Sequence, residues 1–187
     1  MTEAAVEIPG YIAGTWTVDP VHSEVSFVVR HMMVSKVRGR FDKFSGTFTT
    51  AEDPLQSSVT ASVELDSVNT GATDRDNHIR SDDFFGIATH PMMTFQSTGI
   101  RRDGDGFLLD GDLSLRGITN PVTFSLEMNG FGPDAYGGTR SGFSATTEIN
   151  RNDWNVSYNG PIPGGGVAIS DKVTITLEIE GVLDKAE

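Results

Sequence analysis

Asp74-Arg75-Asp76-Asn77-His78-Ile79-Arg80-Ser81-Asp82-Asp83-Phe84-Phe85 is the one helix-like interruption in a chain that otherwise alternates with a period of two. Thr73 and Asp76 form an approximate capping box. Asp76 also precedes Arg80 by four residues, the order that supports a helix once it has begun. The spacing predicts a short polar helix over about 73–85, ending in Phe84 and Phe85, which must be buried. Everything around them is strand-like, so the burial place is the open end or seam of a sheet, with the helix as its lid.

Working outward, Thr15–Asp19 is a brief strand, and Val25, Phe27, Val29, His31 and Met33 share one face of a longer one. After a turn near Val34-Ser35, Val37, Gly39 and Phe41 fall on one face and Lys36, Arg38 and Arg40 on the other. Phe44, Gly46 and Phe48 continue that face only if an extra residue intervenes, which predicts a β-bulge near Asp42-Lys43. Val59, Ala61, Val63 and Leu65 form a third strand, and Met93 and Phe95 belong to a fourth. Asp103-Gly104-Asp105-Gly106 is a strong hairpin signal, because Asp-Gly pairs accept positive φ. Phe107 and Leu109 follow, then an expected break at Asp110-Gly111, Leu113 and Leu115, and Val122 through Met128. Residues 130–138 are expected to be a loop. Phe143, Ala145, Thr147 and Ile149 precede a compact polar segment at 150–154. Residues 159–166 cannot be regular, and Val173, Ile175, Leu177 and Ile179 give the cleanest alternation of all.

About eight strands result, an all-β chain. Alternation with one apolar face fits a two-sheet sandwich and an up-and-down barrel alike, and the sequential hairpin-like spacing favours the barrel. Large rings interleaved with Gly, Ala and Met fit either a solid core or a tunnel.

The length suits one domain over 1–187, with a flexible start at 1–14. Twenty-six acids against fourteen bases give a net charge of −12, which argues against nucleic acid and against electrostatic docking on anionic membrane surfaces, and makes a basic partner the expected charge-driven one. The absence of cysteine excludes disulfides, thiolate catalysis and cysteine-ligated metals. No basic stretch followed by an apolar run opens the chain, and no segment approaches the ~20 apolar residues of a membrane helix, so a cytoplasmic, non-integral protein is expected. Dimerisation would cover the exposed rims of a tunnel.

Lys36, Arg38 and Arg40, with Arg30 nearby, are the densest basic feature and suit an anionic group or simply an exposed strand face. Arg75, His78 and Arg80 on the helix are rival contacts for such a group. His22, His31, His78 and His90 lack metal-ligand spacing, so no metal is expected. Asn150-Arg151-Asn152-Asp153-Trp154 reads as a turn-stabilising knot with Trp154 as a plug. No nucleophile elbow, Walker loop or dinucleotide fingerprint occurs, and no enzymatic activity is expected.

Several segments together resemble the YceI-like family. They are Trp16-Thr17-Val18-Asp19 with His22-Ser23, Gly39-Arg40-Phe41 with Phe44-Ser45-Gly46, Arg75-Asp76 through Phe85 and His90-Pro91, Leu113 through Thr119 with Pro121-Val122, and Ile149-Asn150-Arg151 with Asp153-Trp154. The resemblance implies an elongated eight-stranded antiparallel lipocalin-like barrel, a helix over one end, and an apolar tunnel holding a polyisoprenoid of quinone or prenyl phosphate type, without a cofactor. Carried over by position, the wall comprises Phe27, Val29, His31, Phe41, Phe44, Phe48, Phe84, Phe85, Met93, Phe95, Phe107, Leu109, Leu115, Phe124, Phe143 and Trp154. From the basic features above, and not from the resemblance, the candidate head-group contacts are Arg75, His78, Arg80 and Arg38. Asn155 stands where the family pattern has glycine. The rival readings are an enzyme on an isoprenoid-derived substrate, using His78, Asp82 or Arg151, and a stress-linked module with a filled core.

Overall fold

The computed structural model describes residues 6–186. The period-two stretches become eleven strands: β1 (Gly14–Val18), β2 (Glu24–His31), β3 (Ser35–Phe41), β4 (Phe44–Thr50), β5 (Ser58–Glu64), β6 (Val68–Asn69), β7 (Met92–Asp103), β8 (Gly106–Leu115), β9 (Ile118–Pro133), β10 (Thr139–Asn150) and β11 (Ile169–Leu183). Several of these are pieces of one stave. β1 and β2 pair with the same edge of β11, Trp16 opposite Leu183 and Glu24 opposite Glu178, with the break at residues 19–23. β3 and β4 continue one another across Asp42-Lys43, the predicted irregularity, and β5 and β6 continue across a 3-10 turn at Leu65–Ser67. Eight antiparallel staves result, and the return of β11 to β1 and β2 closes them into a barrel.

Closure needs strong curvature, and three aromatic–glycine contacts accommodate it. A Cβ on Gly39 would lie 2.2 Å from the Phe27 ring, one on Gly111 2.3 Å from Phe95, and one on Gly181 2.4 Å from Phe48. Each ring therefore occupies the space over a glycine that a side chain there would fill, Phe27 and Phe95 reaching the adjacent strand and Phe48 reaching β11 across β1. Gly111 serves that purpose inside an unbroken β8, so the break expected at Asp110-Gly111 does not exist.

Other expectations shift in the same way. Met33 leaves the strand for the β2–β3 turn, and β9 extends through the glycines to Pro133, leaving a loop only at 134–138. The helix, α1 (Thr73–Arg80), stops before the phenylalanines, which sit on turns that follow it. Its N-cap is Ala72, without a side-chain bond, and Arg80 pairs with Asp66 instead of Asp76. Of the supposedly loose start, residues 1–5 lie outside the described part, but the segment from Ile8 is held. The Tyr11 hydroxyl donates to the Ala51 carbonyl at 2.7 Å, and its ring meets Phe131 edge-on at 5.3 Å. Among the described residues no helix is long and apolar enough to cross a membrane.

The break between β1 and β2 is pinned from outside by Arg140. Its guanidinium donates to Asp19 at 2.7 Å, Glu180 at 2.8 Å and Asp134 at 3.1 Å, and His22 bonds Asp19 at 2.8 Å. Asp19, His22 and Glu180 place their ligand atoms within 4.8 Å of one another, yet Arg140 already neutralises both carboxylates. The Arg140 and His22 bonds hold the Asp19 carboxyl well below the usual carboxylate range. A carboxylate whose folded pKa lies below its unfolded value of about 3.9 adds stability above that pH and loses it as pH falls toward the folded value. Arg140→Gln should therefore destabilise the barrel at pH 7, and urea unfolding should show the difference from the parent shrinking steadily below about pH 4.

Candidate functional site

Because apolar side chains of every stave point inward, the barrel encloses space along its axis. A cavity of about 170 Å³ is walled by Phe44, Phe48, Phe95, Leu109, Phe124 and Phe143, among others. A second, of about 550 Å³, lies toward α1 and is walled by Phe27, Val29, His31, Phe41, Phe84, Phe85 and Leu115, among others. Both touch Val25, Met93 and Ile175, so they adjoin inside the barrel and together make up its apolar lumen.

The two ends differ. At the far end Trp16, fully buried, stacks on Phe48 at 5.9 Å and donates its Nε1–H to Thr50 Oγ1 at 2.8 Å. Phe131 meets Trp16 and Phe143 edge-on, and Tyr11 from outside, so aromatic rings floor the barrel there. At the other end the segment after α1 is the lid. Phe84 is buried in edge-on contact with His78 (5.0 Å) and Tyr158 (5.2 Å), Phe85 tilts onto Phe41 at 6.1 Å, and Arg116 donates to the Phe84 carbonyl.

Polar groups fix α1 over the lumen. The buried Asp76 carboxylate accepts from the Thr70 N–H at 2.9 Å and hydroxyl at 2.5 Å, and Arg75 donates to Thr70 Oγ1 at 2.7 Å and its carbonyl at 2.8 Å. Arg75, His78 and His31 border the larger cavity, and His78 Nε2 also bonds Asp83 at 2.8 Å. The other expected head-group contacts lie elsewhere. Arg80 points away, donating to the carbonyls of Asp66 and Val68 and to Asn77, and Arg38 stands on the outer face of β3.

Two expected wall residues also miss the lumen. Phe107 is buried beside the β7–β8 turn, and Trp154 is buried with its Nε1–H on the Leu113 carbonyl at 2.9 Å; neither borders the cavities. Trp16 likewise borders neither cavity and packs behind Phe48, which does. Reasoning from alternation misses Ile79, Val156 and Tyr158, which border the larger cavity from the helix and a loop, where no period marks them.

Arg151 explains the polar knot. Its guanidinium is buried and donates to four carbonyls, those of Val156 (2.6 Å), Tyr158 (2.9 Å), Ser170 (2.9 Å) and Ile169 (3.3 Å). Burial pulls its pKa down, opposed by Asp171 at 3.9 Å. Asn155 adopts the left-handed conformation, φ 57°, that commonly falls to glycine or asparagine after a helical turn. With its donors engaged on carbonyls, Arg151 holds the 156–169 segment against the barrel mouth.

Residues 16–181 match the family model described as a YceI-like domain. The chain belongs to the YceI-like family. Among its relatives, Protein YceI of Escherichia coli O6:H1 is 39% identical over 166 residues, 88% of this chain and 83% of that protein. Protein YceI of Salmonella newport is 36% identical over the same shares. Of solved structures, BcnA from Burkholderia cenocepacia superposes with a TM-score of 0.73 at 24% identity, over 87% of this chain and 98% of that one. A polyisoprenoid binding domain from Saccharophagus degradans superposes with a TM-score of 0.68 at 19% identity, over 92% and 100%.

Arg151→Met should strand several buried acceptors and lower stability by at least about 2 kcal/mol in urea unfolding. Hydrogen exchange should rise first in residues 155–169.

Proposed function

We propose that this YceI-like barrel binds and carries a polyisoprenoid, a quinone or prenyl phosphate by class, without chemically changing it. The observation that carries the reading is the lumen: two adjoining cavities between an aromatic floor and a docked lid, walled mostly by apolar side chains. The larger cavity falls within the ~300–1,000 Å³ of ordinary ligand pockets. An elongated greasy bore suits a long chain with little lateral bulk, and burial contributes about 0.8 kcal/mol per CH₂ before ordering costs are subtracted. Selectivity then comes from bore length and from the few polar groups at the lid end, Arg75, His78 and His31. The polyisoprenoid binding domain of Saccharophagus degradans, which shares the fold, supports the same ligand class.

The test is chain length. Ala61 borders the smaller cavity. Ala61→Trp should leave short prenyl chains bound and weaken a long one by roughly tenfold or more, the loss of about two buried methylenes. Titration of the lipid-stripped protein with prenyl quinones of graded length measures this. Equal affinity for all lengths in parent and variant would place the chain outside the lumen.

A further inference from the structure

The turn between β2 and β3 puts apolar side chains into water beside the cavity mouth. Val34 is 86% exposed, Met33 54% and Met32 47%. The Val34 N–H bonds the His31 carbonyl at 3.1 Å, and Met32 and Met33 have φ of 50° and 60°. That is the φ signature of a type I′ turn, where Asn-Gly is at ease and long side chains are not. The Met32 N–H donates to the Ala168 carbonyl at 2.8 Å, which brings Val167, 42% exposed, beside the tip. Backbone strain is thus accepted in order to hold methionines and a valine in solvent.

Directly behind the tip, Arg30 and Lys36 stand opposite one another across the hairpin, and Arg38 follows on the same outer face. Like charges placed directly opposite repel. Among the described residues none of the three side chains has an ion-pair partner. Of the acids near the start of β11, Asp171 faces Arg151 at 3.9 Å, and Glu148 on the adjoining β10 faces Lys172 at 3.4 Å.

We propose that this hairpin docks the lid end of the barrel onto an anionic lipid bilayer, with the methionine–valine tip in the interfacial layer and the basic collar against its phosphates. Apolar side chains backed by cations are what such an interface retains. The net charge of −12 opposes docking of the molecule as a whole. Screening limits that repulsion to about 8–10 Å at physiological salt, so a membrane touching the tip senses the collar. The purpose of docking rests on the carrier reading, since it brings the cavity mouth onto a lipid source.

Co-sedimentation tests it, using vesicles of phosphatidylcholine alone or mixed with phosphatidylglycerol. The parent should pellet with the mixed vesicles, far less with phosphatidylcholine, and be released by high salt. Lys36→Gln with Arg38→Gln should lower partitioning about thirtyfold, about fivefold per cation. Met32→Asn with Met33→Gly should raise the melting temperature, because it suits the turn, while reducing sedimentation. No preference for anionic vesicles, or undiminished sedimentation of the Asn-Gly variant, would overturn the proposal. So would a tip that changes only the oligomeric state in size-exclusion chromatography. Prenyl quinone affinity, measured in parallel without vesicles, separates the two ideas: retained affinity without sedimentation sinks docking alone, and sedimentation without affinity sinks carriage.

Discussion

Closure of the sheet depends on β11. Its fifteen residues pair along one edge with β10 and along the other with two separate strands, β2 beside its first part and β1 beside its end. A sheet left open there would expose a long run of unpaired backbone groups and an apolar inner face. Because closure succeeds, inward side chains from eight staves meet around an axis, where rings lying over Gly39, Gly111 and Gly181 let the wall curve. The wall is therefore packed side to side while space remains along the axis.

The two ends of that space have different chemistry. Trp16, Phe48, Phe131 and Phe143 interlock at the floor, with the Trp16 indole tied to Thr50 and Tyr11 bracing Phe131 from outside. The lid end is assembled from pieces held by polar bonds: α1 by Thr70 and Asp76, the Phe84 turn by Arg116, and the 156–169 segment by Arg151. On the proposed carrier function, ligand exchange belongs at the end secured by hydrogen bonds on surface segments, since such segments open locally at lower cost than a packed aromatic cluster. The lid's histidine and arginine, and the exposed hairpin tip, lie at that same end.

Much of this was legible in the sequence. A period of two exposed the staves, the odd step from Phe41 to Phe44 exposed an irregularity that proves to be a break between β3 and β4, and the polar run at 74–85 exposed the lid. Family motifs added the closed topology that periodicity leaves open. What could not be read depends on pairing across the barrel. Gly111 looks like a turn residue until Phe95 is seen to lie across it. Arg80 and Arg75 share a helix and a charge, yet only Arg75 borders the cavity. Tyr158 joins the lid from an irregular loop, where no pattern could announce it.

The central claim is that the lumen holds a polyisoprenoid. Native mass spectrometry of the protein purified from its own host, followed by organic extraction and mass analysis of whatever is released, tests it most directly. The account predicts one stoichiometric isoprenoid per barrel, released unchanged. An empty, homogeneous protein that also takes up no added prenyl lipid would contradict it.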